Sequence, residues 1–181
     1  MKLAYSLTED DFLQHQLFIA SKSERIKKKR LRSWIIVTLA FFCLAFLFFT
    51  SGNSILKYYF IAAGVLSLVL YPVYLRSYYK SHYKKFISEH YKDRLNENSI
   101  VIFSEENIET FDTTGESKIK LTQIEEIVET GSYIYLKLKV GGSLIIPKLR
   151  VQNFDHVRLE LQKLSDQLNV PFVTELNWKW K

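Results

Sequence analysis

The sequence predicts an α+β membrane protein: a two-helix transmembrane hairpin, then an antiparallel β-sheet closed by a C-terminal amphipathic helix. Three observations predict it. Residues 34–49 and 58–75 hold no charged side chain and are joined through the turn Ser51-Gly52-Asn53-Ser54. From Asn96 onward, short β-branched and aromatic runs alternate with turn residues. Near the end Phe154, Val157, Leu161, Leu164 and Leu168 recur at helical spacing as a single apolar stripe.

A bilayer core takes about 20 mostly apolar residues per helix, with about 17 as the lower end. The first run reaches that length with Leu31, Ser33 and Thr50, and the second with Ile55 and Leu56, which leaves Lys57 at the interface. The spans are expected at about residues 32–50 and 55–75, within a hairpin of residues 34–75. A cleaved signal sequence is the alternative for the first run. It fits poorly, since about thirty mostly polar residues precede the run and no small-residue cleavage site follows it. The single cysteine, Cys43, lies mid-span and can form no intramolecular disulfide.

Charge sets the orientation. Lys22, Arg25, Lys27, Lys28, Lys29, Arg30 and Arg32 precede the first span against Glu24 alone, and Arg76, Lys80, Lys84 and Lys85 follow the second. The connecting turn has only Lys57. Cationic flanks stay on the cytoplasmic side, so the reading is a multi-pass cell-membrane protein with both termini cytoplasmic. These eleven cations are the expected membrane-surface contacts, held electrostatically by anionic headgroups. The net charge of +6 does not indicate nucleic acid, because residues 95–181 carry ten Lys and Arg against thirteen Asp and Glu.

Ahead of the hairpin, residues 1–33 read as a short strand over residues 3–7 and a basic amphipathic helix. Thr8-Glu9-Asp10-Asp11 opens that helix as a capping-box pattern, with acids where the helix dipole favours them. Phe12, Ile19 and Ile26 fall seven apart, and the helix is read as continuing into the first span. Its apolar face packs on another helix of the protein or lies in the membrane interface. Residues 76–95 form a further amphipathic helix, with Tyr71, Tyr74, Tyr78 and Tyr79 as an interfacial belt and Pro72 as a kink.

Residues 96–181 form the soluble domain. Strands are expected at residues 99–103, 108–112, 118–121 and 133–140, with a short segment at Ile124, Ile127 and Val128 and a returning strand at 143–147. The turns fall at Glu105-Glu106-Asn107, Thr113-Thr114-Gly115 and Gly131-Ser132, and Gly141-Gly142 suits a hairpin that needs positive φ. Alternation puts Ile134, Leu136, Leu138 and Val140 on one face and Tyr133, Tyr135, Lys137 and Lys139 on the other. Asn153 and Asn169 should bound the last helix. Residues 3–7 should join this sheet, because a lone strand has nowhere else to satisfy its backbone groups.

This plan resembles the YcxB-like family of bacterial membrane proteins over essentially the full length. The likeness rests on Tyr5-Ser6-Leu7-Thr8-Glu9-Asp10-Asp11-Phe12, on the basic entrance to the hairpin, and on Ile127-Val128-Glu129-Thr130 through Tyr133-Ile134-Tyr135-Leu136 to Ile145-Ile146-Pro147-Lys148. The resemblance implies a cytoplasmic domain like a bacterial pleckstrin-homology (PH) fold and carries no established activity. Phosphoinositide-binding PH domains use basic residues around the turn between their first strands. The corresponding turn is read here as Ser104-Glu105-Glu106-Asn107, whose carboxylates repel phosphate.

No catalytic, cofactor-binding or metal-binding residue is assigned. His15, His82, His90 and His156 lack metal-ligand spacing, and neither a phosphate loop nor a nucleophile elbow occurs. The acids at Glu105-Glu106, Glu109-Asp112-Glu116 and Glu125-Glu126-Glu129 read as solvated faces. Thr38, Gly64 and Ser67 are absorbed by helix packing, and two helices enclose a pore only by oligomerisation, for instance as a homo-oligomer. The expectation is a non-enzymatic, membrane-anchored protein that presents a PH-like module to a protein partner, with Tyr133, Tyr135, Trp178 and Trp180 as contacts. The alternative is an accessory subunit of a membrane enzyme or transporter complex.

Overall fold

The computed structural model describes residues 1–113 and 115–180; Thr114, expected in a turn, and the terminal Lys181 lie outside the described residues. The chain is α+β and divides into two units, Met1–His15 with Phe86–Lys179 and Gln16–Lys85 with Trp180–Lys181.

The first unit contains two sheets. Strand β1 (Lys2–Ser6) pairs antiparallel with β2 (Asn98–Phe103), which continues through β3 (Asn107–Asp112) to β4 (Gly115–Lys120). The N-terminal strand thus joins the later sheet across 91 intervening residues, with Leu3 opposite Val101 and Tyr5 opposite Ser99. Just beyond the pairing, Asn96 N–H donates to Leu7 C=O at 2.8 Å. This placement moves the turn register by one strand. Ser104–Asn107 joins the second and third strands, and the link between the first two is the whole segment from Leu7 to Glu97.

The second sheet is mixed, in the order β7 (Ser143–Pro147), β6 (Tyr133–Leu138), β5 (Ile124–Thr130), β8 (Phe172–Glu175). Strand β8 runs parallel to β5 and was not anticipated from sequence. Its four residues follow Pro171 and lack an alternating pattern long enough to stand out. Flanked on both sides, β5 buries Ile127, Val128, Glu129 and Thr130 in succession. The parallel return is made through helix α4 (Phe154–Leu168), whose Val157 and Leu161 enter a core with Leu3, Val101, Ile108, Ile124, Ile134 and Ile146. Asn169 ends α4 in the left-handed region, whereas Asn153 stands before it at φ 51° without a side-chain capping bond.

Two expectations in β6 are corrected. The strand ends at Leu138, and Gly141 and Gly142, at φ 91° and 78°, belong to a longer loop that leaves Val140 76% exposed. Tyr135 is 1% exposed rather than on an outer face, because packing covers both sides of β6 at that point.

The second unit is helical. Helix α1 (Glu9–Lys22) starts in the first unit and does not run unbroken into α2 (Glu24–Thr50). Ser23 leaves helical geometry at ψ 112° and accepts Ile26 N–H, capping the second helix while ending the first. Helix α3 (Ser54–His90) passes through Pro72 without interruption, so residues 76–90 continue the helix of the second apolar run rather than forming a separate one. At 1.5 Å per residue it is about 55 Å long, well beyond a hydrocarbon core of about 30 Å. Thr38 Oγ1 and Ser67 Oγ are 3.0 Å apart, Ser67 also donates to Gly64 C=O, and Gly64 lies under the Phe42 ring where a Cβ would meet it at 3.0 Å. Polar and small residues thus serve the contact between helices. Both helices are long and apolar enough to cross a membrane, with mean hydropathies of 2.3 and 1.7. Their apolar windows are only 6% and 17% buried.

Leu161→Ala should lower the stability of the first unit by about 2–5 kcal/mol, since Leu161 is fully buried between α4 and the sheets. Leu159→Ala, at an exposed position of the same helix, should change it by about 0.5 kcal/mol or less. Denaturant unfolding of the detergent-solubilised full-length protein measures both.

Candidate functional site

The cations that precede and follow the hairpin lie on α1, α2 and α3. Lys22, Arg25, Lys27, Lys28, Lys29 and Arg32 are on the surface, as are Arg76, Lys80, Lys84 and Lys85. Arg30 is half-buried, and the reason is aromatic. Its guanidinium stands 4.9 Å from the Trp180 ring centre and 5.9 Å from that of Tyr79, while Trp180 Nε1–H donates to the Arg76 carbonyl at 3.1 Å. The face of the guanidinium is thus covered by aromatic rings, which orients Arg30.

Trp180 is therefore an internal strut, 6% exposed, and not a free contact for a partner. The same correction applies to Tyr135, while Tyr133 is half-buried. Tyr135 is buried, with its ring 5.3 Å from that of His15, and Tyr133 donates its hydroxyl to Asp11 at 2.9 Å. Trp178 is half-buried, its N–H bonded to the Glu175 carbonyl at 3.0 Å. The alternation that suggested an outer tyrosine face did not register α1, which is remote in sequence and supplies Asp11 and His15 to that face.

Two buried carboxylates organise this part of the first unit, and composition had marked one of them as solvated. Asp11, third residue of α1, accepts from Thr8 N–H at 2.6 Å and from the Thr8 hydroxyl at 2.8 Å, which makes the carboxylate half of the expected capping box. It also takes both nitrogens of the Arg150 guanidinium, which donates further to the Ser6 carbonyl at 2.7 Å. Glu129, 3% exposed on β5, holds Lys148 at 2.7 Å and Arg158 at 2.9 Å. Lys148 and Arg150 belong to one short turn after β7, so that turn is tied at once to the sheet and to the start of α1. Burial pushes the Asp11 carboxyl up, and the bonds from Arg150, Thr8 and Tyr133 outweigh it and hold the group below the usual range. For Glu129 burial is likewise outweighed by Lys148 and Arg158. Burial lowers His15 to about 4, leaving a neutral ring whose Nε2 has no hydrogen-bond partner among the described residues.

These ion pairs fix the turn after β7 against β5, α4 and the start of α1. Residues 103–159 match the YcxB-like protein family. The match runs from the end of β2 to the first turns of α4 and so includes Glu129, Lys148 and Arg150; Asp11 and the hairpin fall outside it. No curated protein and no solved structure matches the chain.

All three titrations point the same way. A group whose native pKa is lowered gives stability that is present above its unfolded pKa and lost as pH falls toward the native one. Unfolding midpoints should therefore drop first between about pH 6.5 and 4, through His15, and again below about 4 as Asp11 and Glu129 protonate. His15→Phe should remove most of the first fall, worth up to about 3 kcal/mol, and leave the second. Thermal melts of the full-length protein against pH measure it.

Proposed function

We propose that this is a non-enzymatic protein anchored in the cell membrane by a two-pass hairpin, with a PH-like interaction module on the cytoplasmic side. The observation that carries the reading is the hairpin's position. Two apolar helices with little of their apolar surface covered leave and rejoin the β-unit between adjacent, hydrogen-bonded strands. Apolar area of that extent is destabilising in water and neutral in hydrocarbon. The basic flanks before the apolar part of α2 and after that of α3, against Lys57 alone near the turn, favour cytoplasmic termini.

The PH-like reading draws on strand order. A four-stranded antiparallel meander, a second meander of β5, β6 and β7, and a closing helix follow that plan, with β8 as an addition. With Tyr135 and Trp180 turned inward, the open edge of β4 becomes the surface suited to a partner. Its residues from Gly115 to Ser117, and Lys118 and Lys120, are exposed. An edge strand offers unpaired backbone N–H and C=O groups to an added strand. Ser104–Asn107, with Glu105 and Glu106, disfavours a phosphate ligand at that turn.

In a Cys43→Ala background, Asn53→Cys should react with a membrane-impermeant maleimide on intact cells, and Leu149→Cys, 95% exposed in the β-unit, only after permeabilisation. The opposite labelling would overturn the orientation. A photo-crosslinking residue at Ser117 should give a defined protein adduct in native membranes, whereas one at Asp155 on α4 should not. No adduct at Ser117, or the same adducts at both positions, removes β4 as the working edge.

A further inference from the structure

Strand β4 is the last in its sheet, and its sequence Gly-Glu-Ser-Lys-Ile-Lys sets an acid, Glu116, four residues before a base, Lys120. Alternate residues of a strand direct their backbone groups to opposite edges. Leu121 N–H donates to the Glu106 carbonyl at 2.8 Å, so Ile119 and Ser117, in step with it, face β3. Glu116, Lys118 and Lys120 therefore turn their N–H and C=O groups to the open edge. All three side chains are exposed. Lys118 reaches back to β3, with Nζ 2.7 Å from Glu109. The side chains of Glu116 and Lys120 make no hydrogen bond or ion pair among the described residues. On the opposite face, Ser117 and Ile119 border a cavity of about 330 Å³ with Leu138 of β6 and Ser143 and Leu144 of β7.

We propose that the strand added to β4 is the β4 of a second copy of this chain, antiparallel about a two-fold axis at Lys118. The inference rests on β4 being the working edge and names its partner. Of the axes that backbone alternation allows, only two oppose acid to base: one at Lys118, where Glu116 meets Lys120, and one at Ser117, where Glu116 meets Lys118. The first uses the two charges that are without partners and leaves the Lys118–Glu109 bridge intact. It forms two identical Glu116–Lys120 pairs, as a self-complementary contact requires. The two Lys118 side chains at the axis are each drawn toward their own Glu109 and away from each other. On the cavity side, Ile119 of each copy stands opposite Ser117 of the other, beside the apolar rim of Leu138 and Leu144. Lysines on an edge discourage indiscriminate strand addition. With Glu116 at this spacing, the edge instead matches its own reverse.

Full-length protein carrying Cys43→Ala and Lys118→Cys, purified and reconstituted in phosphatidylcholine vesicles, tests the contact. Facing residues of an antiparallel hydrogen-bonded pair have Cα atoms about 5.5 Å apart, within disulfide reach. A membrane-permeant oxidant should form dimers several-fold faster than with Leu149→Cys in the same background, an exposed position that reports random collision. Adding Glu116→Lys should slow dimer formation several-fold. Lys120→Glu should do the same, and the two together should restore the rate. Equal rates at the two cysteines overturn the self-pairing, as does a rate that neither reversal changes or that the double exchange fails to restore.

Photo-crosslinking from Ser117 in native membranes separates this inference from the one it rests on. An adduct of twice the mass of the chain is expected. A defined adduct with a different protein overturns the second copy and leaves the β4 edge standing, whereas no adduct removes both.

Discussion

The sheet of the β-unit closes only if residue 7 meets residue 96. Strand β1 is five residues long and buries Leu3 and Tyr5 in the core, so it must find β2 at the end of a very long excursion. A flexible loop of that length would impose a closure entropy of several kcal/mol, growing with the logarithm of its length. Helices remove most of that freedom. The hydrogen bond from Asn96 to Leu7 is where the excursion is sealed, and Asn96 reaches it at φ 62°, a left-handed geometry asparagine tolerates. One consequence is that residues 96–181 alone are an incomplete domain, lacking an edge strand and two core side chains.

The second constraint is electrostatic. Asp11 and Glu129 are almost wholly removed from water, and such burial is costly unless each lone pair is engaged. Each carboxylate here receives several donors, and the cations come from one turn and from α4. Pairs of this kind add little net stability over apolar replacements, but a misplaced strand would strand a charge. Their value here is specification: they accept one placement of α1 against β6 and one of α4 against β5.

The hairpin is packed by a different rule. In its helices most of the large side chains are exposed, and Thr38, Ser67, Gly64 and Ala45 are among the residues at the contact, with Phe42 over Gly64. Water would drive the reverse arrangement. In a bilayer that drive would be absent, and packing and hydrogen bonding between small residues would decide which faces meet. A cavity between Lys27 and Leu75 has cations at one end and aliphatic walls beyond.

Much of this was legible in the sequence because it depends on local composition. Two charge-free runs specify two apolar helices, Thr8 through Asp11 specify a helix start, and the stripe from Phe154 to Leu168 specifies α4. Residues 3–7 could be assigned to the sheet because unpaired backbone groups had no other outlet. The break at Ser23 was hidden by a continuous apolar period on both sides of it. The sheet's second face was hidden for another reason: alternation reports how many sides of a strand are covered, not by what. Tyr135 reads as outward until α1 arrives with His15, and Glu129 reads as solvated until Lys148 and Arg158 converge on it. Hydrophobic pattern and capping act over one turn or one strand, so the elements they govern follow from the order of residues alone. Burial of a tyrosine, pairing of a carboxylate and stacking of Trp180 on Arg30 join residues from 19 to 150 apart, and no local pattern reaches that far; the packed fold had to settle them.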